Sequence, residues 1–217
     1  MTVQSLVDYA RKYLEDAVIT GELRPGMRIK EEDIASRLQI SRPPIRQAFE
    51  ALVVEGLLTR QPRRGVIVTI FEEKDIWEIY TLKASLYGLA TSLAIDSMTD
   101  EGIAKLEKTV EAMVKCVEKE PVNLHRYQAL NEDFHINILL EISNHGRLHR
   151  LLHNLDKQLK WLSYRNLRDR EHLKSNCEFH RRMFDAIKHK DKTLAERLCQ
   201  EHIFKGMELL IKNMKKA

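Results

Sequence analysis

Ile40-Ser41-Arg42-Pro43-Pro44-Ile45-Arg46 opens a helix, and the reading of that helix decides the fold. A serine ahead of the first turn can cap it, and prolines are tolerated there because first-turn amides have no intrahelical acceptor. Arg42 and Arg46 stand i and i+4, so they leave one face near the helix N-terminus, while Ile45, Phe49, Leu52 and Val53 turn inward. The helix is predicted from Arg42 to Glu55. Upstream, the periodicity predicts a helix from Ser5 to Ile19, a loop through Leu23-Arg24-Pro25-Gly26 and a short helix from Glu31 to Leu38. Downstream, Leu57-Leu58-Thr59 and Val66-Ile67-Val68 are short apolar runs joined by the basic turn Arg60-Gln61-Pro62-Arg63-Arg64-Gly65, which predicts a β-hairpin. Three helices and a hairpin make a winged helix.

Glycine and proline punctuate this first stretch and thin out afterwards, which predicts a boundary near residue 70 and two domains, 1–70 and 71–217. The second part carries apolar residues at spacings of three and four and reads as helices over 72–97, 100–118, 122–141, 145–167, 170–188 and 191–214; Leu151, Leu155, Leu159 and Leu162 illustrate the pattern. Short polar links, with Thr99 as an expected N-cap, favour an antiparallel bundle. The expected fold class is mainly α, an N-terminal winged helix-turn-helix with a small β-hairpin plus a C-terminal antiparallel all-α bundle. Only 8 glycines and 5 prolines in 217 residues argue against collagen-like, disordered or sandwich-type β alternatives. No apolar run reaches the roughly 18 residues of a membrane span, and Asp8, Glu15 and Asp16 interrupt the N-terminus, so a cytoplasmic protein is expected. Cys116, Cys177 and Cys199 have neither disulfide-framework nor zinc-knuckle spacing and are expected in the core.

The net charge of +4 is mild, but its placement is informative. Between Arg37 and Arg64 six arginines (Arg37, Arg42, Arg46, Arg60, Arg63, Arg64) face only Glu50 and Glu55. An arginine at the tip of a recognition helix can bind guanine O6 and N7 bidentately, while a second grips phosphate. Arg63, Arg64 and Gly65 on the hairpin suit phosphate or minor-groove contact, because glycine lets the backbone approach closely. Lys30 and Arg37 fit phosphate contacts or ordinary surface equally. A merely solvated charge cluster is the bland alternative, and the agreement of spacing, capping and basic wing opposes it.

These residues carry a resemblance. Ile19-Thr20-Gly21-Glu22-Leu23-Arg24-Pro25-Gly26, Ile34-Ala35-Ser36-Arg37-Leu38, Ser41 through Ala48, Leu52, Glu55-Gly56-Leu57 and Arg63-Arg64-Gly65 resemble the winged helix of GntR-family transcription regulators. The resemblance implies double-stranded operator DNA as the partner, read by a dimer, with Arg37, Ser41, Arg42, Pro44, Arg46, Arg63, Arg64 and Gly65 as DNA-binding residues. Glu32 departs from the pattern, since some relatives place an arginine there and an acid cannot grip phosphate.

In the helical part, Asn131 and His135 are i and i+4 in a stripe that continues through Ile138 and Ile142, and buried polar groups require partners. His180 lies among Leu173, Cys177, Met183, Phe184 and Ile187, and His202 among Leu194, Leu198 and Leu209. If the last two helices turn around Asp191, positions 180 and 202 come level, each 11 residues from the turn. Three nitrogens and one oxygen on three helices suit zinc, nickel or, as a third option, manganese, with open coordination positions. Taken singly, each histidine reads more readily as a hydrogen-bonded core residue, and only the coincidence of three helices favours a site. His145, His149 and His153 form a rival series; His149-Arg150-Leu151-Leu152-His153 lacks the glutamate that a zinc protease motif needs as base, which leaves a solvated face.

The second part, over about residues 72–214, resembles the FCD-type (FadR-like) effector domain. That resemblance implies Asn131, His135, His180 and His202 as metal ligands, with asparagine where aspartate is usual. It also implies Lys83 and Tyr87 as effector-binding residues, where arginine and glutamate are usual; a lysine attracts a carboxylate effector but cannot clamp it bidentately, and Lys83, in the stripe of Ile76, Ile79, Tyr80, Leu86 and Ala90, is equally readable as reaching out to solvent. The whole implies an effector-controlled regulator, a repressor by the commoner mode, and no enzyme. The competing readings are a metal-dependent hydrolase on a bundle, against which no general base or phosphate loop is found, and an effector-independent structural DNA-binding protein.

Overall fold

The computed structural model describes residues 5–153, 155, 166–167 and 169–215. Two compact units emerge, one centred on residues up to Glu72 and one from Glu73 onward. Among the described residues, no helix is long and apolar enough to cross a membrane.

The first unit contains α1 (Leu6–Thr20), β1 (Arg28–Ile29), α2 (Glu31–Leu38), α3 (Arg42–Val54), β2 (Leu58–Gln61) and β3 (Gly65–Val68). Ser5 caps α1 by accepting from the Asp8 amide, and Gly21 ends it in the left-handed region at φ 85°. Ala10 and Leu14 of α1, Ile45, Ala48, Phe49 and Leu52 of α3, and Leu58 and Val68 of the sheet make the core, all at or near complete burial. The sheet has three strands, in the order β1-β3-β2, all antiparallel. β1 is the strand the hydropathy pattern missed: two residues are too short to show alternation, and Arg28 and Ile29 become a strand only because Ile67 and Val66 lie opposite them. The hairpin is also tighter than expected. Arg60 and Gln61 join β2, Gln61 pairs with Gly65, and the turn shrinks to Pro62, Arg63 and Arg64.

One expectation about α3 fails for a local reason. Ser41 has the extended backbone of an N-cap but makes no side-chain capping bond. A capping hydroxyl accepts from the amides of the second and third helical residues, and here those are Pro43 and Pro44, which have none.

The second unit contains α4 (Glu73–Asp96), α5 (Asp100–Glu118), α6 (Leu124–Glu132), a π-helical stretch (Asp133–Leu140), α7 (Glu141–Ser143), α8 (residues 146–153), α9 (Arg170–Lys188) and α10 (Lys192–Met214). Thr99 caps α5 through the Gly102 amide and Asp191 caps α10 through Leu194. α4 packs along α10, α10 returns along α9, and α5 crosses α9. The three cysteines are buried and free. The single helix expected over 122–141 is instead α6, a wide π segment and a short α turn. Phe134 and His135, then Ile138, Leu139 and Leu140, are buried as neighbours in sequence. An α-helix would divide such runs between core and solvent, whereas the widened turn keeps them inside, and π segments recur at functional sites. The stripe assigned to α8 has a different phase from that expected: Leu148 and Leu152 are buried and Leu151 is 56% exposed. Within that expected helix, residues 154 and 156–165, Leu159 and Leu162 among them, lie outside the described residues.

Candidate DNA-reading face and candidate metal centre

In the first unit, α3 projects Arg42 and Arg46 into solvent, with side chains 57% and 61% exposed. They stand together over Glu31, the first residue of α2. The Glu31 carboxylate accepts from Arg46 Nε at 3.1 Å and from its Nη2 at 3.2 Å, and Arg42 Nη2 approaches at 3.5 Å. The Arg46 bonds hold the Glu31 carboxyl below its usual range. Ser41, freed from capping, is exposed beside them, and Pro44 is half-buried. Arg37 sits on α2 and donates to Tyr13 Oη and to Glu22. At the hairpin tip Arg63, Arg64 and Gly65 are all exposed. Arg63 and Gly65 have φ of 64° and 81°, which bends the tip sharply and explains the glycine.

Two participants were not legible from sequence. Arg28 comes to the hairpin through β1, and a Cβ on Gly65 would lie 3.7 Å from its Nε. Glu31 was read only as a helix start, because nothing in its own neighbourhood shows that α3 would deliver two arginines to it.

In the second unit, the three predicted histidines converge. His135 comes from the π segment, His180 from α9 and His202 from α10, and one ring nitrogen of each lies within 4.8 Å of the others. The rings of His180 and His202 meet across the α9–α10 hairpin at 4.7 Å, and His135 Nε2 is 3.0 Å from His180 Nε2. His180 Nδ1 donates to the Asn176 carbonyl at 2.6 Å, which turns its Nε2 lone pair inward. This tautomer lock is a backbone contact and leaves no sequence signal. Burial is the first cause of lowered proton affinity in all three imidazoles: it holds His180 down to about 4 and His135 and His202 well below the usual range, where Lys83 adds a smaller share. Neutral imidazoles are the form that binds metal.

The residues fit a cation. Ligand atoms of a tetrahedral zinc bonded at about 2.0–2.1 Å stand about 3.4 Å apart, inside the 4.8 Å within which one nitrogen of each histidine lies. His135 Nδ1 and His202 Nδ1 are buried with no hydrogen-bond partner. Phe134 edges against His135 and His180, and Phe179 tilts over His202, giving an apolar wall. Tyr87 is buried with its ring at 5.5 Å from His135, and Lys83 Nζ lies 5.3 Å from the Tyr87 ring. Asn131 is half-buried in the last α turn before the π segment. The rival series stays at the surface: His149 pairs with Glu141 at 3.0 Å and stacks beside the exposed His153.

The sequence matches bacterial regulatory proteins of the gntR family over residues 6–68 and the FCD domain over residues 78–205. An HTH-type transcriptional regulator of Bacillus subtilis (strain 168), YdhC, is 31% identical over 191 residues, covering 87% of this chain and 84% of that one. The HTH-type transcriptional repressor GlaR of Escherichia coli (strain K12) is 24% identical over 97% of both chains. Among solved structures, E. coli McbR/YncC matches with a TM-score of 0.79 at 21% identity, over 98% of this chain and 100% of that one, a likeness of fold. The chain therefore belongs to the GntR family of bacterial DNA-binding transcription regulators, as a member carrying an FCD domain, and is not an enzyme.

Proposed function

We propose that residues 1–70 read a two-fold operator as part of a homodimer, and that residues 71–217 bind a small carboxylate effector at a divalent metal, zinc or nickel ahead of manganese. Arg42 and Arg46 contact base edges and the first phosphates. Arg37, Ser41, Pro44, Arg63, Arg64 and Gly65 complete the contact on the backbone and in the groove. His135, His180 and His202 hold the metal, Asn131 supplies a fourth, oxygen ligand from four residues before His135, and Lys83 and Tyr87 receive the effector carboxylate. Repression is the mode, in line with the relatives named as repressors, and the cytoplasm, where the DNA is, is the place of action.

The observation that carries the effector half is the convergence of three neutral, buried imidazoles from three helices beside a lysine. An effector that bridges metal and Lys83 would couple to DNA only through a difference in operator affinity between bound and free states. Elemental analysis of protein purified without chelator is expected to find one transition metal per chain, lost in His135→Ala. Citrate is then expected to raise the thermal midpoint of the metal-loaded protein, a shift that Lys83→Met reduces. Absence of metal in the wild type together with no response to added zinc removes the effector half of the reading.

A homodimer has a candidate surface on α4. Leu82, Leu86, Leu89 and Leu93 are spaced four, three and four residues apart, the a/d pattern of a helix that pairs with its like. Leu82 and Leu89 are 54% and 44% exposed, and Trp77 near the start of the helix is 56% exposed.

A further inference from the structure

Arg46, proposed above to contact base edges, has one edge already occupied. Its Nε and one Nη2 hydrogen point at the Glu31 carboxylate, through contacts of 3.1, 3.3 and 3.2 Å. A guanidinium has five N–H groups in a rigid plane, so a carboxylate on the Nε/Nη2 edge leaves the Nη1/Nη2 edge directed away from it. That second edge is the fork that fits guanine O6 and N7. Glu31 is well suited to hold the first. It is fixed in the opening turn of α2, and its side chain is only 22% exposed, whereas that of Arg46 is 61% exposed. The same carboxylate takes Arg42 Nη2 at 3.5 Å, so both arginines at the tip of α3 are referred to one anchor.

Two other acids that pair with exposed arginines of the unit are different. Glu22 with Arg37 and Glu50 with Arg60 are pairs in which both members are about half exposed. Pairs of that kind hold geometry weakly. Glu50 also acts on Arg46 through space, but its bonded partner is Arg60 of the hairpin.

We propose that Glu31 is a specificity-determining positioning residue: it fixes the plane of the Arg46 guanidinium so that the free edge meets a guanine. The inference rests on the reading of Arg46 as a DNA contact. A carboxylate near phosphates weakens binding to any duplex, so its presence makes sense as an exchange of general affinity for discrimination. The two rival roles are a charge brake, which competes with DNA for both arginines, and a strut that merely joins α2 to α3. A brake acts by charge and is indifferent to geometry. A positioning contact needs both charge and length.

The experiment uses the full-length wild type to retrieve preferred duplexes from a pool with a randomised core. Dissociation constants at one fixed ionic strength then follow for a retrieved duplex and for the same duplex with each recognised G·C pair changed to A·T. Glu31→Gln keeps the length and removes the charge; Glu31→Asp keeps the charge and withdraws it by one methylene. The wild type is expected to discriminate about tenfold or more, the scale of one bidentate arginine–guanine pair. Both variants are expected to lose most of that ratio at one base-pair position per half-site, while Glu31→Gln binds the altered duplex at least as tightly as the wild type does. On an Arg46→Lys background, Glu31→Gln is expected to cause no further loss. Unchanged discrimination in both variants overturns the proposal. Equal tightening on both duplexes by Glu31→Gln, with Glu31→Asp behaving as wild type, establishes the brake. A full additional loss on the Arg46→Lys background, or a collapse of the thermal midpoint in both variants, establishes the strut. Failure of the wild type to retrieve any sequence is a separate result and removes the DNA contact of Arg46 itself.

Discussion

On the proposed reading Asn131 is the most informative ligand to test, because the resemblance implies an aspartate in its place. An amide oxygen donates to a metal without adding negative charge, so a cation held by Asn131 and three imidazoles keeps its full charge and is held less firmly than with a carboxylate. Asn131→Asp is therefore expected to slow zinc removal by a competing chelator by about tenfold, a difference of about 1.4 kcal/mol, while His180→Ala abolishes retention; both are read by chelator competition followed by elemental analysis. If Asn131→Asp leaves retention unchanged, Asn131 is not a ligand. The cysteines give a second expectation at this scale. Burial pushes the Cys199 thiol up to about 11 and raises that of Cys177 as well. Thiolate is the reactive form and Cys116 is shielded by burial, so titration with a thiol reagent at pH 8 is expected to find no rapidly reacting cysteine in the native protein and all three after denaturation.

Elements were legible where a local signal sufficed. α2, α5 and α9 occupy the spans their periodicity predicted, and Thr99 caps α5 as expected, because an apolar stripe and its interruption are written within about one turn of their effect. Pairing across the chain was not written locally. β1 exists through its partner β3, and the π segment exists because the bundle demands several consecutive buried side chains. His180 and His202 could be paired from sequence because counting from Asp191 gives the register of a hairpin, and His135 joined them through its polar place in an apolar stripe and the family resemblance, whereas the Asn176 carbonyl and Glu31 enter through contacts that no spacing rule reports. The α4–α10 pair offers a test of packing at this scale. A Cβ on Gly88 would come within 2.9 Å of Gln200 Nε2, 3.0 Å of Gln200 Cγ and 3.1 Å of Glu196 Cγ. Gly88→Ala gains helix propensity and needs only small shifts of two flexible side chains, but Gly88→Leu must wedge the helices apart. The leucine variant is expected to lose about 1–3 kcal/mol in denaturant unfolding, the usual cost of overpacking, with alanine close to wild type.

At the scale of the whole molecule, the proposed two-fold operator requires two recognition helices, and the leucine seam of α4 is the candidate surface for a second copy. Replacing Leu82 and Leu89 by aspartate puts charges where an isologous contact would bury them twice, once from each protomer. The doubly substituted protein is expected to run as a monomer in light scattering at concentrations where the wild type is a dimer, with its circular dichroism unchanged, since both side chains are already substantially exposed in the single chain. Its DNA behaviour then follows from charge counting. Each phosphate neutralised contributes about −0.9 to the slope of log affinity against log salt, so a monomer that engages one half-site is expected to show about half the wild-type slope. Arg63→Ala in the dimer removes one contact per half-site and is expected to reduce the slope by about two. A monomeric variant that kept the full slope would mean that one chain alone makes all the phosphate contacts, and a dimeric variant would place the self-association surface elsewhere than on α4.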